Sequence, residues 1–305
     1  MPSVKPGRLI GFLGGLHVIE IYLQNKLDRY YLFKKAKAQL HAFIKNGVVE
    51  LTLASDRLMI NVEETFDFDE TIRPVMTEVL KTHVIETKEE IWLLDIISNI
   101  FFYSEVDEQL QIMQMAKSIL SGERLDVPSA TKLFDTDQII HDAFSNFLTR
   151  DCKFCYESFL TFRLKIYMDK LIDCVELAID EYQLEQEYQN LVESFRYYLK
   201  IQESKIQTVH VVINHTFTFY DETRQLINEE KLEEALDREI IFEQGIPINE
   251  MAVSPLVSLA PKKIFLYCDD LENGVVQTIQ NIFQERVTIQ GTTHFLQNEK
   301  RRQQN

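Results

Sequence analysis

Two residue pairs in this 305-residue chain have the types and spacing of reactive sites, Cys152 with Cys155 and Asp269 with Asp270. A Cys-x-x-Cys pair can supply half of a zinc ion's four ligands or run thiol–disulfide exchange. Zinc needs two more ligands, and the chain has neither a second Cys-x-x-Cys nor a paired-histidine motif. Thioredoxin-type exchange needs a strand running into a helix start, whereas the residues before Cys152 read as helical. The expectation is therefore two cysteines on one helical face, partly packed in a core. Asp269 and Asp270 follow Cys268 at the end of an expected strand. Adjacent carboxylates there could hold Mg²⁺ for phosphoryl chemistry. No glycine-rich phosphate loop accompanies them, and an aspartate before a helix more often caps it. His210 and His215 flank an expected hairpin, and residues five apart on a strand point to opposite faces. No nucleophile or Gly-x-Ser-x-Gly pairs with them. No residue is assigned as catalytic, cofactor-binding or metal-binding, and no cofactor is implied.

The elements that would position these residues follow from periodicity. From Ser129 to Gln244 there is neither glycine nor proline, so nothing interrupts long helices. Alternation predicts a strand over 18–23, then a helix over 26–45 capped by Asn25 and ended by Gly47, then a hairpin of 48–53 with 57–62. Helical spacing predicts helices over 70–84, 87–103 and 105–121, with Thr87 capping the second. Further helices are expected over 136–149 and 152–204, with a break near 149–153. In the long one, Leu164, Met168, Leu171, Val175, Ala178 and Tyr182 recur at spacings of three and four. Leu184, Tyr188, Leu191, Phe195 and Tyr198 repeat that pattern in a shifted register, unlike a continuous coiled coil. A hairpin of 208–213 with 216–220, a helix over 228–239, a strand over 263–268, a helix over 274–283 and a strand over 286–290 complete the chain.

The fold class is therefore α+β and predominantly α-helical, a helical middle flanked by small α/β segments. The segments read as 18–66 (β-α-β-β), 67–204 (helical), 205–292 (α/β) and 293–305 (a polar tail). Residues 1–17 read as a leader: Gly14-Gly15 can be encoded by a bacterial ribosome-binding sequence, and Val18 by a GTG start codon.

A net charge of −16 repels phosphate backbones and anionic lipid, which argues against nucleic-acid and membrane-surface partners. No apolar run reaches the roughly 20 residues of a membrane span. Four cysteines are too few for a disulfide framework, so a cytoplasmic setting is expected. The polar face of the long helix carries Asp173, Glu176, Asp180, Glu181, Glu185, Glu187 and Glu193, a docking surface for a basic protein partner or a solvated face.

The run from Tyr167 to Tyr182, with Glu185–Gln189, Arg196–Tyr198 and the Val209–Phe219 hairpin, resembles the YtxC-like sporulation protein family of endospore-forming bacteria. The resemblance spans about 18–290. It implies a role linked to sporulation and carries over no substrate, cofactor or catalytic residue. The function expected is a sporulation-associated cytosolic protein with an interaction or structural role. The alternative is an enzyme without a sequence motif, metal-dependent around Asp269 and Asp270.

Overall fold

The computed structural model describes residues 15–124, 136–214, 216–235 and 250–296. The chain is a predominantly helical α+β protein that divides into two compact units, Met1–Tyr182 and Gln183–Asn305, each built around its own sheet.

In the first unit, β1 (Leu16–Tyr22), β2 (Val49–Leu53) and β3 (Arg57–Glu63) form an antiparallel ladder, and β4 (Lys153–Cys155) adds parallel to β1. Alternation does its expected work: Ile19, Ile21, Leu58, Ile60 and Val62 are buried, while Arg57, Met59 and Glu63 of β3 stand on the other face. The ladder already includes Leu16 and His17, opposite Glu63 and Val62, so strand pairing begins upstream of Val18. Asn25 caps α1 (Lys26–Gln39) by accepting the N–H groups of Leu27 and Asp28, as its residue type predicts, and a short α2 (His41–Lys45) follows, so the helix expected over 26–45 is two.

From residue 68 to 100 the chain is one unbroken helical run. Two α-helical stretches, α3 (Arg73–His83) and α4 (Glu89–Asp95), alternate with π-helical turns at Phe68–Ile72, Val84–Lys88 and Ile96–Ile100. The expected break between 84 and 87 does not exist. Thr87 is no cap; its hydroxyl donates to the His83 carbonyl at 2.6 Å inside a π turn. No glycine or proline lies between Pro74 and Gly122 to force a break, so the mismatch is absorbed by wide turns. Next come α5 (Val106–Leu120), α6 (Thr136–Phe147) and α7 (Tyr156–Arg163).

The long helix, α8, covers Lys165–Ile201 rather than 152–204, because β4 and α7 take up the residues before it. Its two apolar registers belong to two cores. Tyr167, Leu171, Cys174, Val175 and Ala178 are buried in the first unit, and Val192, Phe195 and Leu199 in the second. Leu184, read as part of the second stripe, is exposed.

The second unit holds β5 (Thr208–Ile213), β6 (Phe217–Tyr220), β7 (Lys263–Tyr267) and β8 (Val287–Gln290) in the order β6-β5-β7-β8, with β5, β7 and β8 parallel. After α8 the described residues of this unit include the helices α9 (Glu229–Ala235), α10 (Glu250–Leu259) and α11 (Gly274–Phe283), the last capped by the Asn273 side chain on the Val275 N–H. Among the described residues no helix is long and apolar enough to cross a membrane.

Candidate functional site

The Cys-x-x-Cys pair does not sit on a helix. Cys152 precedes β4 and Cys155 ends it, and in extended chain residues three apart face opposite ways. Cys152 is buried, and that burial raises its thiol pKa. Cys155 is half-buried, its thiol donating to Glu157 Oε2 at 3.3 Å. All four cysteines are free. Asp269 accepts from the backbone N–H and the hydroxyl of Thr292, at 2.9 and 2.5 Å, and these bonds hold its pKa below the ordinary value. Asp270 accepts the Glu272 N–H at 3.0 Å. The two carboxylates are thus engaged separately, Asp269 tying the segment after β7 to the segment after β8 and Asp270 bracing a local turn, and among the described residues no group of three or more His, Cys, Asp or Glu could hold a metal ion. His210 is buried on β5, stacked on Phe265, with Nδ1 3.0 Å from the Tyr267 hydroxyl. His215 lies outside the described residues. Of the acidic face of α8, Glu181 is tied to Arg124 at 2.8 Å and Glu185 accepts from Gln189, while Glu193 is exposed.

The densest polar chemistry lies elsewhere, in the first unit. His83 is fully buried at the end of α3. Its Nε2 lies 3.2 Å from Asp28 Oδ1 on α1, and its Nδ1 lies 2.7 Å from the Tyr156 hydroxyl at the start of α7. The neutral tautomer with a proton on Nε2 satisfies both: His83 donates to the carboxylate and accepts from the phenol. Lys88 Nζ closes on the other carboxylate oxygen at 2.5 Å. In a regular α-helix, residues five apart point about 140° away from each other. The π turn at Val84–Lys88 widens the helix so that His83 and Lys88 both reach Asp28. Burial drives the His83 pKa down to about 4, against the pull of Asp28. Burial also raises the Tyr156 phenol well above its ordinary value. The carboxylate–imidazole–phenol chain has the order of a proton relay, but His83 and Tyr156 are fully buried and Asp28 nearly so. As placed, it fastens three helices together.

Sequence reading missed this network. One signal was present: Met76, Val79, Leu80, His83 and Val84 share the apolar spacing, which puts His83 on the buried face. Nothing local marks Asp28 or Tyr156 as its partners.

A second missed feature is the elbow between the helical run and α5. Phe102 has φ of 61°, the left-handed region that favours glycine, and the residue is 81% exposed. Phe101 closes the helix, so Phe102 stands where a glycine commonly ends one, and the Tyr103 N–H returns to the Ile97 carbonyl at 3.2 Å. The Gln109 side chain donates to the Tyr103 carbonyl at 2.7 Å, tying the start of α5 to the elbow. Ile100, Val106 and Leu110 are exposed beside it in sequence.

Clefts of about 410, 490 and 330 Å³ open on α8 with the end of α11, on α6 with α7 and the start of α8, and on α1 with α3. None of these three is lined by His83, Asp269 or Asp270.

A family model described as the YtxC-like family matches residues 74–288. The chain belongs to the YtxC-like family. It is 37% identical over 216 residues to the uncharacterized protein YtxC of Bacillus subtilis (strain 168), covering 71% of this chain and 76% of that one. No solved structure matches it. The YtxC-like match takes in His83, Lys88, Phe102, Tyr156 and the Asp269–Asp270 turn, and begins after Asp28.

Proposed function

We propose that this YtxC-like protein is a cytoplasmic protein-interaction module acting in sporulation, and that the Phe102 elbow is its contact surface. The observation that carries the reading is a large aromatic ring held in solvent by a backbone conformation that glycine would adopt more easily. Exposed aromatic anchors with apolar neighbours are the typical centres of protein-binding surfaces. The sporulation setting rests on the resemblance of the Tyr167–Tyr182 run and its neighbours to that family. The cytoplasmic setting rests on cysteine usage, four thiols without a disulfide. The enzyme alternative around Asp269 and Asp270 has less support, since both carboxylates are engaged in hydrogen bonds of the fold, Asp269 with Thr292 and Asp270 with the Glu272 N–H.

Capture from sporulating cells tests the reading. The wild-type chain and the Phe102→Gly chain are used as paired baits after both are shown to be folded. A protein recovered by the first and lost by the second supports the proposal. Identical recoveries overturn it.

A further inference from the structure

Resting on the protein-binding reading above, we infer that the partner presents a basic amphipathic helix to the Phe102 elbow. The first reason is charge. Between Lys88 and Lys117 the chain has six acids, Glu89, Glu90, Asp95, Glu105, Asp107 and Glu108, and no base. Some of these are spent internally: Glu90 pairs with Lys117, and Glu89 and Glu108 accept from Tyr167 and Tyr182. Asp95, Glu105 and Asp107 are exposed and in no ion pair among the described residues. Glu105 and Asp107 adjoin Val106 directly and stand three and five residues beyond Phe102. Both also stand at the start of α5, Asp107 in its first turn and Glu105 as its N-cap residue, where the helix dipole favours acids, but the Glu105 side chain makes no capping hydrogen bond and its carboxylate faces solvent. An apolar anchor flanked by unpaired carboxylates is complementary to an apolar stripe flanked by lysine or arginine.

The second reason is shape. Val106 and Leu110 are four apart on α5 and form one exposed ridge, with Phe102 standing N-terminal to it. A helix presents anchors at the same three- and four-residue spacing, so its side chains can seat between Phe102, Val106 and Leu110. The elbow belongs to helices and carries no sheet edge, which removes strand addition as a binding mode. The same carboxylates repel anionic lipid and phosphate backbones.

The test uses the full chain and two labelled synthetic helices of about 18 residues, one of leucine and lysine, the other with glutamate in place of lysine, followed by fluorescence anisotropy. The lysine helix is expected to bind the wild-type chain at least about 30-fold more tightly than it binds the Phe102→Gly chain, the loss typical of an aromatic anchor. Glu105→Lys with Asp107→Lys is expected to shift preference toward the glutamate helix. If the lysine helix binds the wild-type and Phe102→Gly chains equally, the attraction is general to an acidic surface and the inference falls. If both helices bind equally in a Phe102-dependent manner, the charge argument falls while the protein-binding reading stands. Phe102-dependent binding to anionic phospholipid vesicles would overturn the inference in favour of a membrane. Loss of Phe102-dependent capture from sporulating cells is the separate failure of the protein-binding reading itself.

Discussion

Replacing Phe102 separates folding from binding, because the two respond in opposite directions. A left-handed conformation costs a residue other than glycine about 1–2 kcal/mol. Phe102→Gly removes that cost but adds about 0.4–1 kcal/mol of unfolded-chain entropy. The residue is 81% exposed, so the packing lost with its side chain is about a fifth of a buried phenylalanine, or about 0.3–0.6 kcal/mol. The glycine chain should therefore match the wild type or exceed it by a few tenths of a kcal/mol. Phe102→Ala keeps the strained conformation and loses the same packing, so it should fall below the glycine chain by about 0.5–1 kcal/mol. In a unit of this size that is about 1–4 °C in the melting midpoint. The assay is urea and thermal unfolding followed by Trp92 fluorescence. Trp92 is the chain's single tryptophan and lies on α4, 6.2 Å from the Tyr167 ring, so it reports on the unit that holds the elbow. An alanine chain more stable than the glycine chain would refute the reasoning, because the left-handed backbone would then not be what Phe102 resists.

Asp28→Ala strands the His83 N–H and the Lys88 ammonium in a buried setting, and should cost about 3 kcal/mol by urea unfolding; adding Lys88→Met should recover part of it, and a purely additive double variant would show the pair is not coupled. With a folded pKa of about 4 against 6.5 unfolded, His83 takes up its proton less readily when folded, so stability is full above about pH 6.5 and is lost as pH falls toward 4. Between pH 7 and 5 this single group should remove about 2 kcal/mol, before most carboxylates titrate, and His83→Gln should flatten that part of the profile; an unchanged slope would place the proton elsewhere. Leu171→Ala, at a fully buried position on α8, should cost about 2–5 kcal/mol, and a loss below about 0.5 kcal/mol in unfolding would contradict its place in the core.

Alternation and helical spacing were enough to locate β1, β2, β3, β5 and β7, the Asn25 cap and the apolar stripe through Leu171, because each depends on contacts within one element or its neighbour. The breaker-free middle was also legible as helix, since glycine and proline act locally. Local signals failed where a long-range partner won. Lys153–Cys155 reads in sequence as the start of a helix, yet it pairs with β1, more than a hundred residues away, and that pairing turns the two thiols apart. Thr87 looked like a cap, yet the pull of Asp28 on His83 and Lys88 is met by a π turn that runs straight through it. Asp28 and Tyr156 carry no mark of their own, because their roles exist only once α1, α3 and α7 converge on His83. The shifted register in α8 was visible in sequence, but its meaning, one helix serving two cores, required both cores to be assembled. Phe102 is the sharpest case. A left-handed helix end is announced in sequence by glycine, and a phenylalanine there is silent until the chain around it is folded, because composition records which side chain is present but not the backbone angle it is made to accept.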